Sequence, residues 1–364
     1  MKQIFVLKDQ PLQKKEYNLI GFNNLNKFYD VKIYNFNKLR DLVKFNLLLN
    51  KKTDQIIIDL MSTQAHFITV LIRYLIYSKK KKVIRLYIDC QPKLKFPKNF
   101  NFYFHKRIFK KFFSLLTRLK KLTGLKKKLN QYPVDVAIVG VKNDLENVNQ
   151  KYLKRKMFCH SSAFDYYLKN KLKKCYNKKY ALYVDSGLVY HPDFDKLKLK
   201  PLIGDRDKYL KNLNLFFNKY EQDTNIKIII AGHPKINSSF YKKSFKGRKV
   251  YLNLTPDLVN YASSIFIDVS TALNFVILCK KPTYFLTCDE FVESQNFHSR
   301  LIDFYTIYLS RPKINIDRQL TKKFCHVPLK KNSLRRYDNF INKYIKNSNS
   351  SKLNIAQEIA KSIQ

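Results

Sequence analysis

The residues best suited to chemistry lie in the stretch KIIIAGHPKI, residues 227–236, where an apolar run ends at Gly232, His233 and Pro234. A proline at that point ends pairing in a central strand, so the chain must leave the sheet. It also holds the backbone of His233 in extended geometry. The carboxyl end of a buried strand is where open α/β sheets place their ligand contacts. A loop turn with an incidental histidine is the other reading of the same residues. Further along, Thr255 precedes Pro256 and Asp257, the pattern of an N-cap with proline at the first helical position. Ser270 and Thr271 likewise open the apolar helical run ALNFVILCKK. If the strands before these segments are parallel, His233, Thr255, Ser270 and Thr271 share one edge of the sheet. Helix N-termini would bring backbone N–H groups and positive dipole ends there. With hydroxyls and an imidazole added, such a site suits a phosphate or pyrophosphate. Plain helix capping is the alternative for Thr255 and Ser270, and it leaves the histidine-proline pair unexplained.

The elements needed to position these groups are legible as an alternation of strands and helices. DQIIIDLM, residues 54–61, is a short apolar run suited to a strand buried on both faces. Ser62 and Thr63 can cap the helix that continues through FITVLIRYLIY, and VIRLYIDC then reads as the next strand, completing a βαβ unit. VDVAIVGV adds another strand. After the lysine- and asparagine-rich break KLKKCYNKK, a second series runs through YALYV, KIIIA, KVYLNL, SIFID and PTYFLT. Between the first two, Leu210, Leu213, Phe216, Phe217 and Tyr220 keep helical spacing. The expected organisation is an α/β domain over 1–175, a second over 176–330, and a polar helical tail over 331–364.

The order AGHPKI, then TPDLVNYASSIFIDVSTALNFVILCKKPTYFLT, resembles the carboxyl-terminal domain of GT-B-fold glycosyltransferases from bacterial surface-polysaccharide loci. The pattern is similar to that of sialyltransferase-like and capsule-biosynthesis proteins. YVDSGLVYHPDF, residues 183–194, is similar to the segment opening that domain, and CHSSAFDYYL, around Asp165 and Tyr166, to the segment before it. The resemblance covers roughly residues 155–290. It implies two Rossmann-like domains facing a cleft, with His233 and Pro234 forming one donor-phosphate motif and Ser270 and Thr271 the other. It further implies a nucleotide-sugar donor carrying a single phosphate, CMP-linked, and a glycan or lipid-linked acceptor.

The sequence departs from that family at the general base, where an acidic pair before a glycine is usual. Here Asp185-Ser186-Gly187 offers one carboxylate. A strand ending in a tight turn explains it equally well, with Gly187 supplying backbone freedom. Asp59, at the end of a first-domain strand, is the competing base, and His233 can also accept a proton. No carboxylate cluster of metal-binding type stands out and only seven glycines occur, none in a GxGxxG or P-loop string. Metal-free, cofactor-free transfer is therefore expected, rather than oxidoreductase or NTPase chemistry. His191 also precedes a proline, as a further site residue or as the closure of a surface turn.

Seventy-one Lys and Arg against 27 Asp and Glu give a formal charge of +44, which calls for an anionic partner. Richness in Lys, Asn, Ile, Phe and Tyr with no Trp also resembles the codon bias of an AT-rich genome, a second source of such charge. The segment KRIFKKFFSLLTRLKKLTGLKKK, residues 106–128, places Phe109, Phe112, Leu116, Leu119 and Leu122 at helical spacing among basic residues. Such a helix can lie on an anionic membrane through Lys110, Lys111, Lys120 and Lys121, or pack as an ordinary amphipathic helix. The six cysteines form no CxxC pair, which fits a reduced compartment. The amino terminus lacks the apolar core of a signal peptide. The expected location is cytoplasmic, peripheral to the inner membrane. Nucleic-acid binding is a rival permitted by charge and aromatic content (15%), but no motif for it occurs. A CDP-glycerol-type phosphotransferase or a sugar epimerase of the same architecture is a nearer one.

Overall fold

The computed structural model describes residues 2–8, 12, 14–36, 39–49, 54–61, 67–88, 92, 134–141, 144, 153–192, 194, 200–319, 321–346 and 354–363. The basic segment 106–128, with Lys110, Lys111, Lys120 and Lys121, lies outside these residues, as do Ser62 and Thr63. The chain forms two compact units, one of residues 1–162 with 349–364, the other of residues 163–348.

The first unit is built on six parallel strands, β1 (Gln3–Lys8), β2 (Asp30–Asn35), β3 (Gln55–Asp59), β4 (Lys82–Tyr87), β5 (Val134–Val139) and β6 (Leu153–Phe158), in the order β2-β1-β3-β4-β5-β6. Its inner strands are apolar on both faces because helices cover both sides. In β1, Ile4 and Val6 enter one cluster while Phe5 and Leu7 enter another on the opposite face. The tail closes the first of these clusters. Ile355, Ile359 and Ile363, four residues apart along the helix Ile355–Ile363, are essentially fully buried there. Burial of that kind is worth roughly 1.5–3 kcal/mol per side chain.

The second unit has strands β7 (Tyr180–Val184), β8 (Lys227–Gly232), β9 (Val250–Leu252), β10 (Ser264–Ile267), β11 (Thr283–Thr287) and β12 (Lys313–Asn315), all parallel, in the order β12-β11-β10-β7-β8-β9. The chain starts at β7, winds outward through β8 and β9, then crosses back to β10 and winds the other way. The order thus reverses between β7 and β10, the topological switch point at which open sheets leave a crevice for ligands.

The units differ from the sequence-based division at both ends. Residues 163–175 belong with the second unit, since Tyr166 stacks edge-on against Phe275 at 5.7 Å and the Lys173 N–H donates to Asp257 at 2.6 Å. The tail divides as well. The helix Lys331–Phe340 and the turn Ile341–Ile345 bury Tyr337, Phe340 and Tyr344 in the second unit, whereas the final isoleucine stripe belongs to the first.

Candidate functional site

Because the second sheet is wholly parallel, β7, β8, β9 and β10 all end at the same edge. Asp185 leaves β7, His233 leaves β8, Thr255 follows β9, and Asp268 and Ser270 follow β10. The edge predicted from sequence therefore exists, and β7 stands between the strands that deliver His233 and Ser270.

His233 is half-buried and fixed from three directions. Its N–H donates to the Tyr241 hydroxyl at 2.6 Å, its carbonyl accepts from Ile236 N–H at 3.0 Å, and its Nδ1 accepts from Lys235 N–H at 3.3 Å. An accepting Nδ1 places the proton of the neutral ring on Nε2, making that nitrogen a donor. Gly232 is required by packing, since a Cβ there would lie 2.7 Å from Leu252 and 2.8 Å from the Tyr241 ring. Pro234 is exposed beside it.

Asp185 is buried among hydroxyls. Oδ2 accepts from Tyr190 at 2.8 Å and Tyr241 at 2.6 Å, while Oδ1 accepts from Gly187 N–H at 3.0 Å and, more distantly, Tyr183 at 3.4 Å. Gly187 turns the chain at φ +74°, a conformation that favours glycine. Burial raises the Asp185 carboxyl, and the hydrogen bonds from Tyr241, Gly187, Tyr190 and Tyr183 oppose it. Across the switch point, Asp268 is 1% exposed, and burial pushes it up to about 7, with the Asp185 charge adding to the rise. Tyr183 reaches both carboxylates, at 3.4 Å each. The Asp268 Oδ1 and the Ser186 hydroxyl are buried without a well-formed hydrogen bond among the described residues.

The helix caps differ from the sequence expectation. Leu254, not Thr255, is the N-cap of the helix Thr255–Tyr261, and no side chain caps it. Proline at the second helical position has drawn Thr255 into the first turn. Ser270 accepts from Ala272 N–H at 3.2 Å and shapes the turn one step ahead of the helix Leu273–Leu278, while Thr271 is exposed. At seven and six residues these helices offer little macrodipole. The donors at this edge are chiefly side chains.

Asp59 lies in the other unit, fully buried. Arg73 Nε donates to its Oδ2 at 2.9 Å and Arg85 Nε at 2.7 Å, while Met61 N–H donates to Oδ1 at 3.0 Å. Burial alone would raise its carboxyl, but Arg85 and Arg73 outweigh that and hold it below the usual carboxylate value.

Sequence reasoning left His191 open and missed four residues of this site. His191 packs against His233 with ring centroids 4.6 Å apart, and its proline neighbour was the available signal. Tyr183, Tyr190 and Tyr241 carried none, because a tyrosine on a strand, in a turn or on a helix reads as ordinary packing. Asp268 stood at a strand end two residues before a serine. Beside these residues the Tyr190 and Phe240 rings pack at 4.1 Å with their planes tilted by 46°, and the Arg206 guanidinium lies 4.8 Å over the Phe240 ring. Among the described residues, no group of three or more His, Cys, Asp or Glu could hold a metal ion. No described helix is long and apolar enough to cross a membrane.

No protein-family model matches the sequence, and no curated protein does. Solved structures match it over its whole length. The UDP-GlcNAc 2-epimerase of Methanocaldococcus jannaschii is 12% identical, with a TM-score of 0.51 and 99% of that chain covered. A co-structure of S. aureus MnaA with UDP is 10% identical, with a TM-score of 0.50 and 95% covered. A variant of the wall teichoic acid polymerase TagF soaked with CDPG is 10% identical, with a TM-score of 0.51 and 88% covered. Likeness at these identities is likeness of fold. The chain has the α/β fold of GT-B enzymes, with two Rossmann-like units each on a six-stranded parallel sheet.

Proposed function

We propose that the second unit binds the phosphate of a nucleotide-linked sugar at the edge formed by β8, β7 and β10, and that the chain transfers the sugar without a metal to a glycan or lipid-linked acceptor. The observation that carries this reading is His233, held beside the switch point by Tyr241 and Lys235 with its donor nitrogen set to Nε2. In transfer, the acceptor oxygen bonds to the anomeric carbon as the bond from that carbon to the phosphate oxygen breaks. The electron pair leaves on the phosphate, where an imidazole donor stabilises it, and the hydroxyl proton passes to a basic side chain. The arginine pair on Asp59 supports a structural role for that residue.

The donor we propose is CMP-linked. At this edge the Gly187 N–H is taken by Asp185 and Gly232 is packed against Leu252 and Tyr241, and the two short helices lack the glycine-rich turn that lets a backbone approach a pyrophosphate. A specific observation favours a second reading: M. jannaschii UDP-GlcNAc 2-epimerase and S. aureus MnaA, solved with UDP, share the fold. That reading is UDP-sugar epimerisation. Calorimetry with CMP, CDP, UDP and GDP, with and without EDTA, separates the two. CMP should bind most tightly in EDTA, and His233→Ala should weaken it by about 1.5–3 kcal/mol. Tightest binding of UDP, together with a sugar inverted without acceptor, would establish the epimerase instead.

The acceptor class implies work at a membrane surface, so we place the chain in the cytoplasm, peripheral to the inner membrane. Wild type should sediment with anionic vesicles at low salt and release as salt screens the attraction. Lys110, Lys111, Lys120 and Lys121 replaced together by Glu should not sediment. Indifference of the wild type to such vesicles would remove the membrane from the proposal.

A further inference from the structure

Two histidine-proline pairs leave neighbouring parallel strands at this edge. His191-Pro192 follows β7 and His233-Pro234 follows β8, and the imidazoles meet at 4.6 Å with their planes 69° apart. Both side chains are half-buried. What brings them together is Asp185. Its Oδ2 accepts from Tyr190, the residue before His191, and from Tyr241, whose hydroxyl in turn accepts the His233 N–H. Its Oδ1 closes the turn at Gly187, and the Gly187 carbonyl accepts the His191 N–H at 2.9 Å. One buried carboxylate thus ties down both loops.

Desolvating a carboxylate is costly and is offset only by good hydrogen bonding. Asp185 spends its acceptor capacity on three tyrosines and a backbone amide, at 4% exposure. A general base needs a lone pair directed at a substrate hydroxyl. The geometry of Asp185 is that of a post, and what the post supports is a pair of imidazoles in contact. The short helices at the edge leave contacts to an anion largely to side chains.

We propose that His191 is a second contact for the phosphate bound by His233, and that Asp185 is a positioning residue that sets the two imidazoles side by side. This rests on the reading of the edge as a nucleotide-phosphate site. Rings in contact can donate to two oxygens of one tetrahedral phosphate, which the single charged phosphate of a nucleoside monophosphate group supplies.

The full-length chain with ¹⁵N-labelled histidine tests this, with inorganic phosphate and then CMP as probes. The imidazole signals are assigned through His191→Gln and His233→Gln. Both rings should respond with one shared dissociation constant, and each substitution should weaken CMP by about tenfold or more. A response from His233 alone overturns the paired grip while leaving the phosphate site standing. Silence from both rings removes the site itself, and with it the reading on which the pair depends. For the post, Asp185→Asn should displace both imidazole signals before any ligand is added and weaken CMP. Unmoved signals and unchanged CMP affinity with turnover lost would make Asp185 the base and overturn its positioning role. Tyr241→Phe, which keeps the ring and removes only the hydroxyl, gives the same comparison should the aspartate variant fold poorly.

Discussion

Asp59 and Asp185 occupy equivalent places in the two units. Each ends or follows a strand beside the switch point of its sheet, and each is buried and saturated with hydrogen bonds. They differ in what surrounds them. Asp59 faces two guanidinium groups and stays ionised. Asp185 faces neutral hydroxyls, which offset only part of the cost of burial, and its pKa rises. A carboxylate between arginines is a fixed internal charge pair that welds β3, β4 and the helix Phe67–Ser78 together. A carboxylate among tyrosines orients hydroxyls without neutralising them, and in doing so positions whatever those tyrosines hold. A strand-end aspartate in this fold is therefore read from its partners, not from its position.

The same substitution at the two sites should break the comparison open. Asp59→Asn leaves Arg73 and Arg85 buried without their counter-charge, and the urea transition of the first unit should lose roughly 3–5 kcal/mol. At Asp185 an amide loses one acceptor but strands no charge, so the second unit should lose about 1–2 kcal/mol. Equal losses would show that both carboxylates are held by charge, contrary to the tyrosine cage.

How far these residues were legible in the sequence follows from the same physics. The strands β3, β4, β5, β7, β8, β10 and β11 are readable because burial on both faces forces an apolar run, or nearly so, while β9, a half-buried edge strand, is readable from the apolar residues of KVYLNL alone. β2, β6 and β12 are not. They are edge strands, and β6 carries Lys154, Arg155 and Lys156 in mid-strand, the kind of charge that keeps an edge from pairing further. β1 is apolar too, but the strand is only six residues long, with Lys2 before it and Lys8 at its end, at the amino terminus, where no turn signal precedes it to mark a strand. At the site, Gly232-His233-Pro234 was visible because proline and glycine mark local backbone geometry. The cage was not, because Tyr183, Tyr190 and Tyr241 converge on Asp185 from a strand, a turn and a helix, and nothing local records that convergence. The caps at Thr255 and Ser270 were displaced by a residue or two, the usual margin at helix ends.

The opposite charge environments should also appear as opposite limbs of the pH–stability profile, with smaller amplitude. Asp59 is held below the ordinary carboxylate value, so its contribution is present above that value and lost as pH falls into the acid range. Asp268 has the reverse sign. Its folded state binds the proton more tightly than the unfolded chain, so the stabilisation is whole below about 4 and is lost as pH rises through about 7. Side chains and water relax around a buried charge, so we expect on the order of 1–2 kcal/mol across that window. Asp185, shifted in the same direction, adds to the limb. Asp268→Asn keeps the shape of the protonated carboxyl and cannot titrate. Thermal melts between pH 4 and 7.5 should therefore show wild type losing stability as pH rises and the variant losing less, through Asp185 alone, while melts below pH 4 should show both losing it through Asp59. An unchanged neutral limb in Asp268→Asn would mean that the carboxyl pair at the switch point is not what titrates there. The contrast between an arginine-held and a tyrosine-held carboxylate would then rest on the urea comparison alone.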